Sequence, residues 1–139
     1  MKFWDTSAIL PLLVEELSSD KIAKILVSDS LQVVWWGTSI ECVSAISRLE
    51  RSQQLALHEA TLILKRLEEL RSNWREVLPS AKLKQVAERN LRLHPLRAQD
   101  AQQLAGCMIA NLDHKIEFVT LDQRLQEAAL REGLALGLG

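Results

Sequence analysis

Short apolar runs suited to strands alternate along this chain with longer stretches of helical spacing, and that alternation leaves few folds open. Lys2 to Trp4, Leu31 to Trp36, Glu76 to Leu78, Phe118 to Leu121 and Leu134 to Leu138 read as strands. Strands separated by helices return most readily to one parallel sheet with helices on both faces, so the fold class expected is α/β. Thr6 or Ser7 caps a first helix that turns Ile9, Leu10, Leu13, Val14 and Leu17 inward, with Pro11 tolerated in its first turn. Ser18 or Ser19 caps a second helix ending near Ser30. Thr38 or Ser39 opens a third, whose stripe of Ile40, Val43, Ile46 and Leu49 points to the core and leaves Glu41 on its flank with Ser44, Ala45 and Arg48. Leu57 to Trp74, Ser80 to Leu93, Ala98 to Leu112 and Gln123 to Arg131 are the remaining helical stretches, the last stopped at Gly133.

A chain of 139 residues is long enough for one domain with a real core, so residues 1–139 are expected to form a single domain. The apolar run Ser7 to Val14 is flanked by Asp5, Glu15 and Glu16. It falls far below the roughly 20 residues of a membrane span, and neither a signal peptide nor a membrane partner is expected. Cys42 and Cys107 lie in helical patterns among apolar neighbours, which favours free thiols in a reducing, cytoplasmic setting. A net charge of −1 exerts no general pull on nucleic acid. From Lys82 to Arg97, however, five bases (Lys82, Lys84, Arg89, Arg92 and Arg97) stand against Glu88 alone. Such a segment either tracks a phosphate backbone or is a solvated helix face.

Two acids, Asp5 and Asp122, each follow a strand-like run, and in a parallel sheet the carboxyl ends of strands share one edge. Glu41 and Asp100 stand in helical segments. Each acid alone has an ordinary explanation: Asp5 and Asp122 as helix N-caps, Asp100 as a charge favoured by a helix dipole, Glu41 as a surface group or capping-box partner of Thr38. Four converging carboxylates would repel one another unless a divalent cation sat between them. Mg²⁺ suits such oxygen ligands, lowers the pKa of an attacking water and offsets charge on a phosphate. Zinc is disfavoured, because His58, His94 and His114 are scattered and neither cysteine has a partner at finger spacing. Arg48 and Arg97 are candidates to grip phosphate, or ordinary surface arginines. Trp35 and Trp36 end a strand and must face opposite ways, so one is free to stack a base while the other packs inward. Trp74 and Met108 read as packing residues.

Phe3-Trp4-Asp5-Thr6-Ser7-Ala8, Glu41-Cys42-Val43-Ser44-Ala45, Leu96-Arg97-Ala98-Gln99-Asp100-Ala101 and Phe118-Val119-Thr120-Leu121-Asp122-Gln123-Arg124-Leu125, taken in order, resemble PIN-domain ribonucleases. Within that family the resemblance is to the VapC type, the toxin half of a toxin–antitoxin pair. It implies a three-layer PIN-like domain, with a central parallel sheet of four or five strands covered by helices on both faces. It also implies Mg²⁺ or Mn²⁺ held by Asp5, Glu41, Asp100 and Asp122, with Thr6 or Ser7 and Thr120 beside them, in a metal-dependent endoribonuclease. The partners implied are an RNA substrate, a cognate antitoxin and a second copy in a homodimer. The apolar faces of Leu12, Leu13 and Leu17, or of the Leu57 to Leu70 helix, are candidate partner surfaces unless the core buries them. The alternative is a catalytically silent PIN-like module that binds RNA or a protein. A haloacid-dehalogenase phosphatase needs a second aspartate where Ser7 stands, and no lysine suits a receiver domain.

Overall fold

In the computed structural model, which describes residues 1–113 and 115–138, Phe3 and Trp4 point to opposite faces of a sheet and each belongs to a separate core. His114, one of the histidines weighed above, lies outside the described residues. The order of elements is β1 (Lys2–Trp4), α1 (Thr6–Leu13), α2 (Ser19–Ser28), β2 (Gln32–Trp35), α3 (Thr38–Arg51), α4 (Leu57–Arg71), β3 (Arg75–Val77), α5 (Ala81–Leu93), α6 (Ala98–Ala110), β4 (Glu117–Val119), α7 (Gln123–Arg131) and β5 (Ala135–Leu136). The strands form one sheet in the order β3-β2-β1-β4-β5. Every pairing is parallel, with Phe3 beside Val33 and Phe118 and Trp4 beside Val119.

This is the three-layer α/β arrangement expected. On one face Trp4, Val34 and Val119 pack with Ile9 and Leu13 of α1, Ile22 of α2, Cys42 and Ile46 of α3 and Ile63 and Leu67 of α4. On the other, Phe3, Val33, Trp35 and Phe118 pack with Leu83 of α5, Leu104 of α6 and Leu125 of α7. The second layer lies close. A Cβ on Gly106 of α6 would come within 2.9 Å of the Phe3 ring, so the missing side chain lets the helix rest directly on β1.

Two of the expected helix faces are corrected. Val14 is already extended and caps α1, so Leu17 lies beyond the helix and is fully exposed. In α3 the buried face is Thr38, Ser39, Cys42 and Ile46, while Ile40 is 59% exposed and Val43 also faces outward. Small side chains fit where α3 meets the sheet edge, and they rotate the helix away from the aliphatic stripe. The first caps differ too, since Asp5 rather than Thr6 or Ser7 occupies the N-cap position of α1. Trp74 is buried as expected, its Nε1 donating to Glu76 at 3.1 Å, and Met108 packs against the core that contains Phe3. Among the described residues, no helix is long and apolar enough to cross a membrane.

Candidate metal centre

Successive strands step outward from β1 to β2 and β3, and the chain then crosses back to place β4 on the other side of β1. The order therefore reverses between β1 and β4, and a crevice opens at the carboxyl ends of such strands. Asp5 follows β1 there, its backbone N–H donating to Val119 O at 3.2 Å, and Asp122 follows β4.

Asp5 is 4% exposed and does not cap its helix; its carboxylate instead accepts from Ser7 Oγ at 2.7 Å. Burial pushes the carboxyl up to about 7, against the Ser7 and Thr120 hydroxyls that favour the ionised form, and the charge of Asp122 adds to the rise. Ser7 Oγ also accepts from Leu121 N at 2.9 Å and lies 3.3 Å from Thr120 Oγ1, which in turn accepts from Asp122 N at 3.1 Å. One hydroxyl pair thus ties the end of β1 to the turn after β4. Asp122 does cap its helix, its Oδ1 accepting from Leu125 N at 3.0 Å.

Asp100 stands in the first turn of α6. Burial raises its carboxyl above the usual range and Asp122 raises it further, while Arg97 and Arg124 act in the opposite direction. These residues line an open polar hollow of ≈ 560 Å³ together with Gln99 and Gln123. Glu41 is held at both oxygens: Thr6 Oγ1 donates to Oε1 at 2.9 Å and Gln103 Nε2 to Oε2 at 3.2 Å. It is not a capping-box partner of Thr38, because α3 begins at Thr38 and Gly37 takes the cap position. Burial raises the Glu41 carboxyl despite those two donors, and Asp100 contributes to the rise. The four acids therefore form an electrostatic row, in which Asp122 acts on Asp5 and Asp100, and Asp100 on Glu41.

Other candidates lie apart from this row. Arg48 lines a different hollow, with Leu10 and Val14. Trp35 is 7% exposed and Trp36 44%, so the outward ring is Trp36. On α5, Lys82, Lys84 and Arg92 are exposed. Arg89 is engaged instead, donating to Glu132 at 3.0 Å and Asn90 at 3.2 Å, and the same Glu132 oxygen lies 2.6 Å from His94 Nε2. Sequence reasoning missed Gln103, whose one visible signal is a polar side chain set between Ala101 and Leu104 on the apolar side of α6.

Among the described residues, no three His, Cys, Asp or Glu side chains are close enough together to enclose an ion. The donors at the row are carboxylate and hydroxyl oxygens, a set that suits a hard divalent cation taking one or two direct carboxylates and reaching the others through water. They do not suit zinc. His58 is exposed on α4, His94 is tied to Glu132, and burial pushes both thiols up, that of Cys42 to about 12.

No family model matches the chain, and no curated protein matches its sequence. Solved structures do share its architecture. It is similar to FitAcB from Neisseria gonorrhoeae at 16% identity over 98% of this chain and 96% of that one, with a TM-score of 0.72. It is also similar to a toxin–antitoxin complex from Klebsiella pneumoniae at 14% identity, over 89% of this chain and 88% of that one, with a TM-score of 0.64. The expected membership in the VapC-type PIN ribonucleases is corrected accordingly. With no family model matching and identities this low, the likeness extends to the fold and not to a family. The strings that suggested it are short, and an aspartate after a strand also arises simply because it caps the next helix, as Asp122 does.

Proposed function

We propose that the chain is a metal-dependent endoribonuclease that hydrolyses RNA phosphodiester bonds at the β1–β4 crevice. The observation that carries the reading is the row of Asp5, Asp122, Asp100 and Glu41, of which Asp5, Asp100 and Glu41 have carboxyls raised by burial and by an acidic neighbour. A buried carboxylate with three half-buried acidic neighbours at a topological switch point favours a cation. One or two of these carboxylates would hold Mg²⁺ or Mn²⁺ directly and the others through water, and the ion would supply an activated water and offset charge on the phosphate. The chain's own residues do the rest. Arg97 and Arg124 flank the hollow and neutralise phosphate, Ser7 and Thr120 fix Asp5, and the exposed Lys82, Lys84 and Arg92 of α5 are further bases for the RNA backbone.

The proposed setting is a toxin restrained by a cognate antitoxin. The likeness in fold to a toxin–antitoxin complex supports it, as does an acidic pocket open to a basic side chain of a partner. Metal-stripped protein given single-stranded RNA should cleave it when Mg²⁺ or Mn²⁺ is restored. Asp5→Asn, Asp100→Asn and Asp122→Asn should each abolish cleavage while keeping native circular dichroism. Full activity in all three variants would refute the metal site, and a folded wild type that cleaves nothing with either ion would leave the silent binding module. Expression alone should arrest growth, and co-expression of a cognate antitoxin should relieve it.

A further inference from the structure

Gln103 is 1% exposed, and burying an amide is unfavourable unless its polar atoms are paired. Its pairing is one-sided. Nε2 lies 3.0 Å from Thr38 Oγ1, 3.2 Å from Thr6 Oγ1 and 3.2 Å from Glu41 Oε2, whereas the buried Oε1 has no partner among the described residues. An amide used only to join helices would gain by satisfying both ends. This one turns its donors towards a carboxylate and the hydroxyl that holds it, and leaves its acceptor empty.

The consequence falls on Glu41. Thr6 and Gln103 grip different oxygens of the same carboxylate, one from α1 and one from α6, which fixes both its position and the rotation of its plane. Gln103 also follows Asp100 by three residues on α6, so one helical turn both presents Asp100 and holds Glu41. The placement depends on how closely α6 approaches the sheet, and Gly106, one turn further on, permits that approach.

We propose that Gln103 is a positioning residue that locks the Glu41 carboxylate in a fixed orientation beside Asp100, preorganising the acid row for its divalent cation. The inference rests on the metal-dependent reading above. Its test is Mn²⁺ binding, followed by electron paramagnetic resonance or calorimetry without substrate. Gln103→Met keeps the volume and removes the donors; the expected result is a native melt with Mn²⁺ affinity weakened on the order of tenfold, as is typical when the residues that orient a ligand are lost. Gln103→Glu, which keeps the shape but sets a carboxylate against Glu41, should weaken binding as well. Placed in a Glu41→Gln background, Gln103→Met should add no further loss, because the contact it served is gone.

Unchanged affinity in Gln103→Met, or losses that simply add in the double variant, would overturn the proposal while leaving the metal site standing. Unfolding of both Gln103 variants would also overturn it, by making the residue structural. A wild type that binds no Mn²⁺ would instead overturn the underlying metal-dependent reading, and this inference with it.

Discussion

Asp5 and Asp122 both occupy the N-cap position of the helix that follows one of two neighbouring parallel strands, yet Asp122 caps its helix through Leu125 N at 3.0 Å whereas Asp5 leaves α1 uncapped and is held by Ser7 at 2.7 Å. The uncapped acid is the buried one. Its carboxyl titrates near 7 rather than 3.8, so between those values the native state keeps a proton that the unfolded chain has released. Stability of the metal-free protein should therefore fall as pH rises through that window and level off above about 7. Asp5→Asn removes this contribution. Urea melts with chelator should show the variant more stable than wild type at pH 8, by up to a few kcal/mol, with the gap closing towards pH 4. A gap independent of pH would refute the assignment of the strain to Asp5.

Gly106→Ala sets two effects against each other. Alanine gains about 1 kcal/mol in a helix interior, but the new methyl meets Phe3 Cζ at 2.9 Å and Cε2 at 3.2 Å. Phe3 cannot easily yield, being fully buried and packed edge-on against Phe118 at 5.6 Å. Overpacking costs about 1–3 kcal/mol and should prevail, lifting α6 from β1. The measurement is a melt together with a Mn²⁺ titration, since Asp100 and Gln103 move with the helix. A stabilised variant would show that the layers can part without strain.

Which features were legible in the sequence follows from how local their causes are. The succession of strands and helices and the parallel sheet needed only alternating patterns, whereas the order β3-β2-β1-β4-β5 came from the structure. Asp5 and Asp122 were visible because a strand end is marked by its own neighbours. The orientation of α3 was not visible, because Ile40 and Val43 form a plausible apolar stripe and nothing nearby announces that Thr38, Ser39 and Cys42 lie inward. Gln103 was missed for a related reason. A glutamine in an amphipathic helix looks like a surface residue until α1 and α3 are brought to it from 97 and 65 residues away. Arg89 was grouped with phosphate-binding bases because its partner Glu132 is 43 residues distant.

That last pairing changes the expected behaviour of the basic segment. Lys82, Lys84 and Arg92 are exposed, so replacing all three with alanine should weaken RNA binding and flatten its log–log salt dependence by about 2, given roughly 0.7 per phosphate contact on single strands. Arg89→Ala should leave that slope alone and lower the melting temperature, because Arg89 joins α5 to Glu132 at the end of α7. Binding measured from 50 to 300 mM salt distinguishes the two. An unchanged slope in the triple variant would return the segment to a solvated helix face.

Ser7 offers the sharpest separation of structural from electrostatic roles. Its hydroxyl donates to Asp5 at 2.7 Å and accepts from Leu121 N at 2.9 Å, so Ser7→Ala strips a donor from a carboxylate and a partner from a backbone amide. Leaving such groups unpaired costs about 1–3 kcal/mol. The Leu121 share is the same at any pH, whereas the Asp5 share is larger once that carboxyl is ionised, above about 7, because a charged acceptor holds the hydroxyl more strongly. Chemical unfolding should therefore show a loss at pH 4 that grows at pH 8, and the apparent midpoint of the increase should report the Asp5 titration directly. An equal loss at both pH values would assign the whole effect to the Leu121 amide, and no loss at either would mean that the hydroxyl is dispensable at the junction of β1 and β4.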